Sequence, residues 1–483
     1  MRNILLFAIL SLTAISSWNP ISASGFLIYE HGAAATGRAA AVAATIGDPS
    51  AIFYNPAGLG KLNGTNFYNG GTLVFSRTDF NSNDPLVDQH SVRHVPLLPS
   101  LFLTHKIIPD LSIGVGLFAP FGLVTDWPKT WEGRYIGTES RLQTIYHSAV
   151  IAYHPHPLFS IAVGFDYIRA EAKLERNIDF RNVPSPSLQT GILYRNSYPD
   201  GYSTLEAKGF GYDIVAGLQF GITEDFHVGV MYRQPIGSIR LVGAADFDSI
   251  PRRSNVYPNE FANDGTFLSN GLVLQNLFRN TDARTHIQLP PIIVVGIATT
   301  IIPDLILELD LQWTGWSTVD ELNIQFASPV GGSPTIRTFP DGSFDLGGAP
   351  SGARSDGSNA GFQQIRFDWE DTYIIRAGLE YKLSVFNEKD LALRLGFLYD
   401  WSPARNDTLS TTLPDGNRIG LSAGVGYRFN LFGLENTVDL GYLAVLFEDV
   451  QKENLIGFEE GGTANGEYKT IAHLVSLSLQ VEF

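Results

Sequence analysis

The eleven residues His473 to Phe483 constrain the fold more than any other stretch of the chain. From Val475 onward the odd positions are apolar (Val475, Leu477, Leu479, Val481, Phe483) and the even ones polar (Ser476, Ser478, Gln480, Glu482). Side chains alternate between the two faces of a strand, so this segment has one greasy face and one wet face. Ending on an aromatic, it has the form of the closing strand of an outer-membrane β-barrel, with apolar side chains toward lipid and an aromatic at the interface. The edge of a soluble sandwich would present the same alternation, so the rest of the chain has to decide between them.

The N-terminal end gives an address. Arg2 precedes an apolar run from Ile4 to Ala14, and the small residues Ser22-Ala23-Ser24 follow, with cleavage expected after Ala23 or Ser24. This is the pattern of a secretory signal peptide, so residues 1–24 are expected to be removed on export. The most apolar later run, Pro291 to Leu309, is interrupted by Pro303-Asp304 and carries Glu308, so it falls short of the ~20 apolar residues a membrane-spanning helix needs. The 483 residues include 31 Phe, 19 Tyr, 7 Trp and no Cys. An exported chain without disulfides needs another source of rigidity, and a closed ladder of backbone hydrogen bonds supplies one. The net charge of −16 argues against nucleic acid as a partner, because phosphates would be repelled.

Alternating segments of about ten residues recur, joined by short polar turns. Ile107-Ile108-Pro109-Asp110 leads into Leu111, Ile113, Val115 and Leu117. Ile301-Ile302-Pro303-Asp304 leads into Leu305, Leu307, Leu309, Leu311 and Trp313, with Glu308 and Asp310 on the opposite face. Asn387 to Asp390 leads into Leu391, Leu393, Leu395 and Phe397, opposite Arg394. Further turns fall at Thr223-Glu224-Asp225 and Gly433 to Asn436. Charges on the second face belong in a wet lumen, since against lipid each costs up to about 4 kcal/mol. Long polar stretches (Phe180 to Ala207, Ala244 to Arg284, Ala327 to Gln364) are expected as external loops, the Gly347 to Arg354 tract among them. The sequence therefore predicts an all-β, transmembrane antiparallel barrel over residues 67–483.

Residues 25–66 break the pattern. Eight of the twelve residues from Ala33 to Ala44 are alanine, a compact and helix-prone composition. Asn55-Pro56-Ala57 follows, and alternation begins only around Phe67. A small helical segment of this kind fits inside a barrel as a plug, or hangs below it as a periplasmic tail.

Taken together, several motifs resemble the FadL/TodX family of outer-membrane transporters for hydrophobic compounds. They are Gly25-Phe26, Gly37-Arg38-Ala39, Asn55-Pro56-Ala57, Phe121 to Thr125, Ala172 to Arg176, Asp371-Thr372-Tyr373, Leu421 to Gly424 and the closing aromatic. The resemblance spans nearly the whole mature chain. It implies fourteen strands, an N-terminal hatch in the lumen containing Asn55, Pro56 and Ala57, and passive, cofactor-free import. The solute would be a long-chain fatty acid or, alternatively, an aromatic hydrocarbon. It also implies that Phe26, Phe121 and Arg176 contact the ligand, Arg176 through a substrate carboxylate; pairing with Glu175 or Asp179, or simple solvation, are the other roles open to Arg176. Of the candidates for a second interior cation, neither Arg366 nor Arg376 is convincing, and Glu370 stands near where one would be sought. The expected setting is the bacterial outer membrane, where a monomer meets lipid and lipopolysaccharide. The barrel-assembly machinery would engage it through the strand ending at Phe483.

Leu111 to Phe118 runs directly into Ala119-Pro120-Phe121-Gly122. Proline has no N–H to give to a ladder, so the wall is expected to break here, with Ala119, Pro120 and Gly122 as a gate opening sideways, as in the family. The other reading is that Pro120 begins an external loop. Enzyme motifs are weaker. Gly420-Leu421-Ser422-Ala423-Gly424 fits a nucleophile elbow, the signature a barrel lipase would need, but continues as a strand. His154-Pro155-His156 lacks a third metal ligand. A loop-mediated adhesin or receptor is the remaining alternative.

Overall fold

A computed structural model describes residues 25–84, 90–178, 201–249, 280–327, 337–338, 344–345, 362–385, 390–455 and 463–483. Residues 1–24 with the expected signal peptide, the Gly347 to Arg354 tract, Asp179, most of each long loop and Asn387 to Lys389 lie outside the described residues.

Fourteen antiparallel staves close into one barrel. They are β1 (Thr65–Ser82), β2 (His90–His94 and Leu97–Ile108), β3 (Leu111–Phe118 and Gly122–Asp126), β4 (Glu139–His156), β5 (Phe159–Ile178), β6 (Gly201–Gly221) and β7 (Phe226–Pro235 and Ile239–Ser249). Then follow β8 (Thr281–Ile287 and Ile292–Thr299), β9 (Leu305–Thr314 and Glu321–Phe326), β10 (Phe362–Arg366 and Thr372–Leu383), β11 (Leu391–Asp400), β12 (Arg418–Leu431), β13 (Leu434–Phe447) and β14 (Gly466–Glu482). Closure is between the first and last staves, in one register from Asn66↔Glu482 to Ser82↔Gly466. From Ile471 to Glu482 β14 thus has a ladder neighbour on each side, β1 and β13, which lipid demands.

The alternation read from the sequence sets the two faces. On β14, Leu477 is 58% exposed on the outer surface while Ser476 and Ser478 are buried toward the lumen. Outward apolar side chains such as Val115, Ile297, Leu309 and Leu395 continue the greasy belt around the wall. Glu308, Asp310 and Arg394 all face inward and are buried. The staves also run further outward than the sequence suggested: Gly201 to Ala207 and Ala244 to Ser249 pair with each other within stretches read as loop. Polar side chains there stand above the greasy belt, where hydropathy no longer distinguishes strand from loop.

The lumen is filled by the N-terminal segment. Its regular structure is short: α1 (Ala33–Thr36), α2 (Ala51–Tyr54) and a 3-10 turn (Pro56–Lys61). The alanine run is not one helix, because Ala39 and Ala40 take positive φ values of 50° and 60°. Two wall carboxylates account for this. Asp310 Oδ2 accepts from the amides of Val42 (2.9 Å) and Ala43 (3.0 Å), and Glu308 Oε1 accepts from Ala44 N (2.5 Å). A charged acceptor outcompetes a helical carbonyl for these amides, so tertiary contact overrides propensity. The plug lies against bare wall. A Cβ on Gly229 would stand 2.0 Å from Ala43 O, and one on Gly396 2.3 Å from the Arg38 carbonyl carbon.

Candidate functional site

The ladder is interrupted where Pro120 falls. β3 pairs with β2 only from Leu101↔Leu117 to Ile108↔Leu111. Beyond the interruption, Gly122–Asp126 pairs with β4 but not with β2. The plug takes up the backbone groups left over. Ile28 N donates to Pro120 O (2.7 Å), Gly122 N donates to Phe26 O (2.9 Å), and Leu27 and Phe121 face each other as an antiparallel bridge. On the other side Phe121 O accepts from Thr144 N (3.0 Å) and from the Thr144 hydroxyl (2.9 Å). Residues Phe26 to Ile28 therefore act as a short extra stave across the break. Ala119, Pro120, Phe121 and Gly122 are all buried.

Beside this patch sits an aromatic nest. The Phe26 ring lies 5.8 Å from Phe121, 4.9 Å from Trp316 and 5.6 Å from Trp369, centroid to centroid. Edge contacts between such rings are favourable beyond the area they bury. From Phe121 the rings continue to Tyr146 (6.2 Å), Phe118 (5.5 Å further) and Phe102 on β2 (5.9 Å). A run of aromatic faces thus leads from the nest to the interrupted seam. His31 of the plug packs on Phe53 and Phe118, and burial holds its imidazole down at about 3, so it contributes a neutral ring.

The tryptophans were not identified in the sequence. They point inward because β7 to β10 are interrupted at one level, at 236–238, 288–291, 315–320 and 367–371. Pro235, Pro290 and Pro291 cannot donate to a ladder there, and Gly315 N instead donates to Pro291 O (2.9 Å). The Pro290-Pro291 pair and Gly315 were the available signals. Phe26 is positioned by Gly25, whose φ of +56° and missing Cβ accommodate Trp316. Gly25 N donates to Asp415 Oδ2 (2.9 Å) in the loop between β11 and β12, and burial pushes that carboxyl up to about 7.

Asn55 caps the 3-10 turn that begins at Pro56 and Ala57. The Asn55 side chain donates to Ala43 O (2.8 Å) and to Leu218 O of β6 (3.1 Å), and accepts from Ala57 N (3.2 Å). Ser160 of β5 donates to Ala57 O (2.7 Å). The triplet thus ties two parts of the plug to two staves. Arg176 lies half-buried near the outer end of β5, opposite Ser203. Glu175 pairs with Lys173 (2.7 Å). Two buried cations stand deeper in the lumen. Arg233 pairs with Asp166 (3.2 Å) among Phe53, Phe118 and Tyr146, and Arg376 donates to Gln312 (2.9 Å) over the Tyr29 ring. Arg366 and Glu370 sit at the outer end in exposed pairs with Asp368 and Arg405.

Below the plug, at the end with the short turns, is a polar cavity of about 490 Å³. Arg38, Asp48, Lys61, Glu380, Arg394 and Asp439 line it. Ser422 lies mid-strand and donates to Gly37 O (3.1 Å), so the elbow-like motif holds the plug. Among the described residues no cluster of three potential metal ligands occurs.

A closed fourteen-stranded barrel with a greasy outer belt and an N-terminal segment buried in its lumen defines an outer-membrane barrel protein. The chain belongs to the family described as outer membrane protein transport protein (OMPP1/FadL/TodX), whose profile matches residues 13–483. It is 23% identical to the long-chain fatty acid transport protein of Escherichia coli O6:H1, over 87% of this chain and 86% of the relative. Its fold is similar to the crystal structure of a Pseudomonas aeruginosa FadL homologue, with a TM-score of 0.73 and 19% identity, over 95% of this chain and 100% of the other. It is also similar to the toluene transporter TodX of P. putida, with a TM-score of 0.64 and 16% identity, over 94% and 99%. The family transports hydrophobic compounds across the outer membrane.

Proposed function

We propose that this chain imports long-chain fatty acids by diffusion and releases them sideways through the interrupted β3, once the plug segment Phe26 to Ile28 moves away. The observation that carries this reading is that the seam above Leu101↔Leu117 is bridged by plug backbone rather than by a neighbouring stave. A two-bond bridge is easily undone compared with a full strand pairing. The driving force favours the same route, because an apolar chain gains about 0.8 kcal/mol per CH₂ on entering lipid and nothing on entering water. The charged cavity under the plug opposes straight passage downward, since an apolar solute would have to displace water from Arg38, Lys61, Glu380 and Arg394.

On this reading Phe26 and Phe121 contact the solute's apolar part. Asn55, Pro56 and Ala57 set the plug's position. Arg176, near the outer mouth, meets the carboxylate on the way in. An aromatic hydrocarbon is the second candidate, favoured by the nest of four aromatic side chains and by the prior engagement of Arg233 and Arg376. The barrel works as a monomer, without ester chemistry, and reaches the membrane through the assembly machinery that engages its closing strand.

Uptake of labelled oleate and of toluene by a deletion strain complemented with this chain tests the reading. Oleate uptake is expected, with toluene uptake weaker. Arg176→Ala should weaken oleate binding by about tenfold, the loss of one charge-assisted contact, and leave toluene unchanged. Oleate binding equal to the parent's would remove Arg176 from the site, and absence of uptake of either compound would reject transport of these classes.

A further inference from the structure

The chain is acidic overall, with a net charge of −16, yet one area of its outer wall is basic. On β5 to β8 the outward side chains form two adjacent rows fixed by the ladder. The lower row reads Arg169, Phe210, Arg240, His286, and the upper row Glu171, Lys208, Val242, Arg284. Neighbouring strands lie about 4.8 Å apart, so Arg169 and Arg240 are roughly 10 Å apart, as are Lys208 and Arg284. Four permanent cations and a histidine thus occupy an area the size of one lipid headgroup, with Glu171 the sole acid in the two rows. Arg169 and Lys208 are 58% and 64% exposed at their side chains, although each also reaches Glu171 at 3.2 Å.

Location narrows the partner. An aromatic band begins at Phe210 in the lower row and continues beneath it through Tyr167, Tyr212 and Phe165, with ring centroids 5.5–6.3 Å apart. Such a girdle marks the boundary between acyl chains and headgroups. The staves carrying it continue into the long loops, so this is the outward-facing boundary, and the cations stand at headgroup height. Elsewhere at the outer end, Arg77 has Asp79 at 2.9 Å, and Lys469 has Asp449 at 2.8 Å and Glu467 at 2.9 Å. On β5 to β8 Arg169 and Lys208 share the single acid Glu171, and the acids Glu206 and Asp282 come only in the next row outward, so the two rows themselves carry a net positive charge.

We propose that this surface binds the phosphorylated sugar headgroup of an outer-leaflet glycolipid, the lipid A part of lipopolysaccharide. Arginine forks take phosphate oxygens in paired hydrogen bonds, and the adjoining acyl region weakens the competition from water. The glycolipid's chains then lie on the aromatic band and the aliphatic residues below it. None of the four cations faces the lumen, so solute uptake does not depend on them.

The test uses the purified full-length barrel in detergent micelles and native mass spectrometry. The probes are bis-phosphorylated lipid A, the same lipid with its phosphates removed, and phosphatidylglycerol. The parent is expected to bind bis-phosphorylated lipid A at least about tenfold more tightly than either other lipid. The Arg169→Gln, Lys208→Gln, Arg240→Gln, Arg284→Gln combination should lose about tenfold or more in that affinity, whereas Arg→Lys at the three arginines should retain most of it. If the combined variant fails to fold, Arg240→Gln alone should still weaken binding by about threefold. Equal affinity for the dephosphorylated lipid, equal affinity for phosphatidylglycerol, or parental binding by the glutamine variants would each overturn the proposal.

Discussion

A disulfide between Leu27→Cys and Phe121→Cys should abolish uptake, and reducing it should restore transport. The two residues form a non-hydrogen-bonded antiparallel pair, flanked by the Ile28 N to Pro120 O and Gly122 N to Phe26 O bonds. In such a pair the Cα atoms are about 4.5 Å apart, within the range a disulfide spans. The chain contains no cysteine of its own, so no other pairing competes. If solute leaves where the plug bridges the wall, a covalent bridge at that place closes the exit whatever the solute. Oxidised protein should transport oleate more slowly than the same variant reduced by about an order of magnitude or more, a comparison that cancels the cost of losing the Phe121 ring. Equal rates in the two redox states would mean that this contact need not open.

The second large effect concerns what holds the plug. Glu308 and Asp310 together accept from Ala44 N, Val42 N, Ala43 N, the Arg38 guanidinium (2.7 Å) and the Thr45 hydroxyl. A hydrogen bond to a charged group contributes about 1.5–3 kcal/mol, and removing the acids also leaves Arg38 buried without its partner. Even if only two of the five contacts count in full, the double variant Glu308→Ala, Asp310→Ala loses about 3–6 kcal/mol of docking energy, so local opening rises on the order of a hundredfold or more. Hydrogen exchange at residues 38–46 should speed accordingly, and small polar solutes should leak through the barrel. The amide variant Glu308→Gln, Asp310→Asn keeps acceptors and should be milder. The ladder between β8, β9 and β10 does not involve these side chains, so barrel melting should change little. Unaltered exchange in the alanine variant would show that the carboxylates do not hold the plug.

The parts of this architecture that are legible in the sequence are those set by local pattern. The two-residue period of β14, the inward charges of β9 and β11, and the missing N–H of Pro120 each follow from residues adjacent in the chain, and the structure places each as that pattern requires. Asn55-Pro56-Ala57 stands out in the sequence only through the family resemblance; in the structure Asn55 accepts from the amide two residues on.

What stayed hidden depends on register between distant staves. Trp316 and Trp369 turn inward only because four neighbouring staves are interrupted at one height, and a reader of single segments cannot align Pro235 with Pro290 and Gly315. The alanine run is helical only over Ala33–Thr36, and its composition cannot show this, since the acids that draw out its later amides lie on β9. The basic rows on β5 to β8 are scattered in sequence over Arg169, Lys208, Arg240 and Arg284, and only pairing brings them together.

The central claim is the route of exit, and the most direct measurement of it is site mapping with a fatty acid carrying a photoactivatable group at its tail. Illuminated in outer-membrane vesicles during uptake, the label is expected on residues flanking the interruption, Leu101, Phe102, Phe118 and Ala119, and on plug residues Phe26 to Ile28. Label concentrated instead on Lys61, Glu380, Lys382 and Glu435 around the cavity beneath the plug would contradict lateral release and place the exit through the barrel floor.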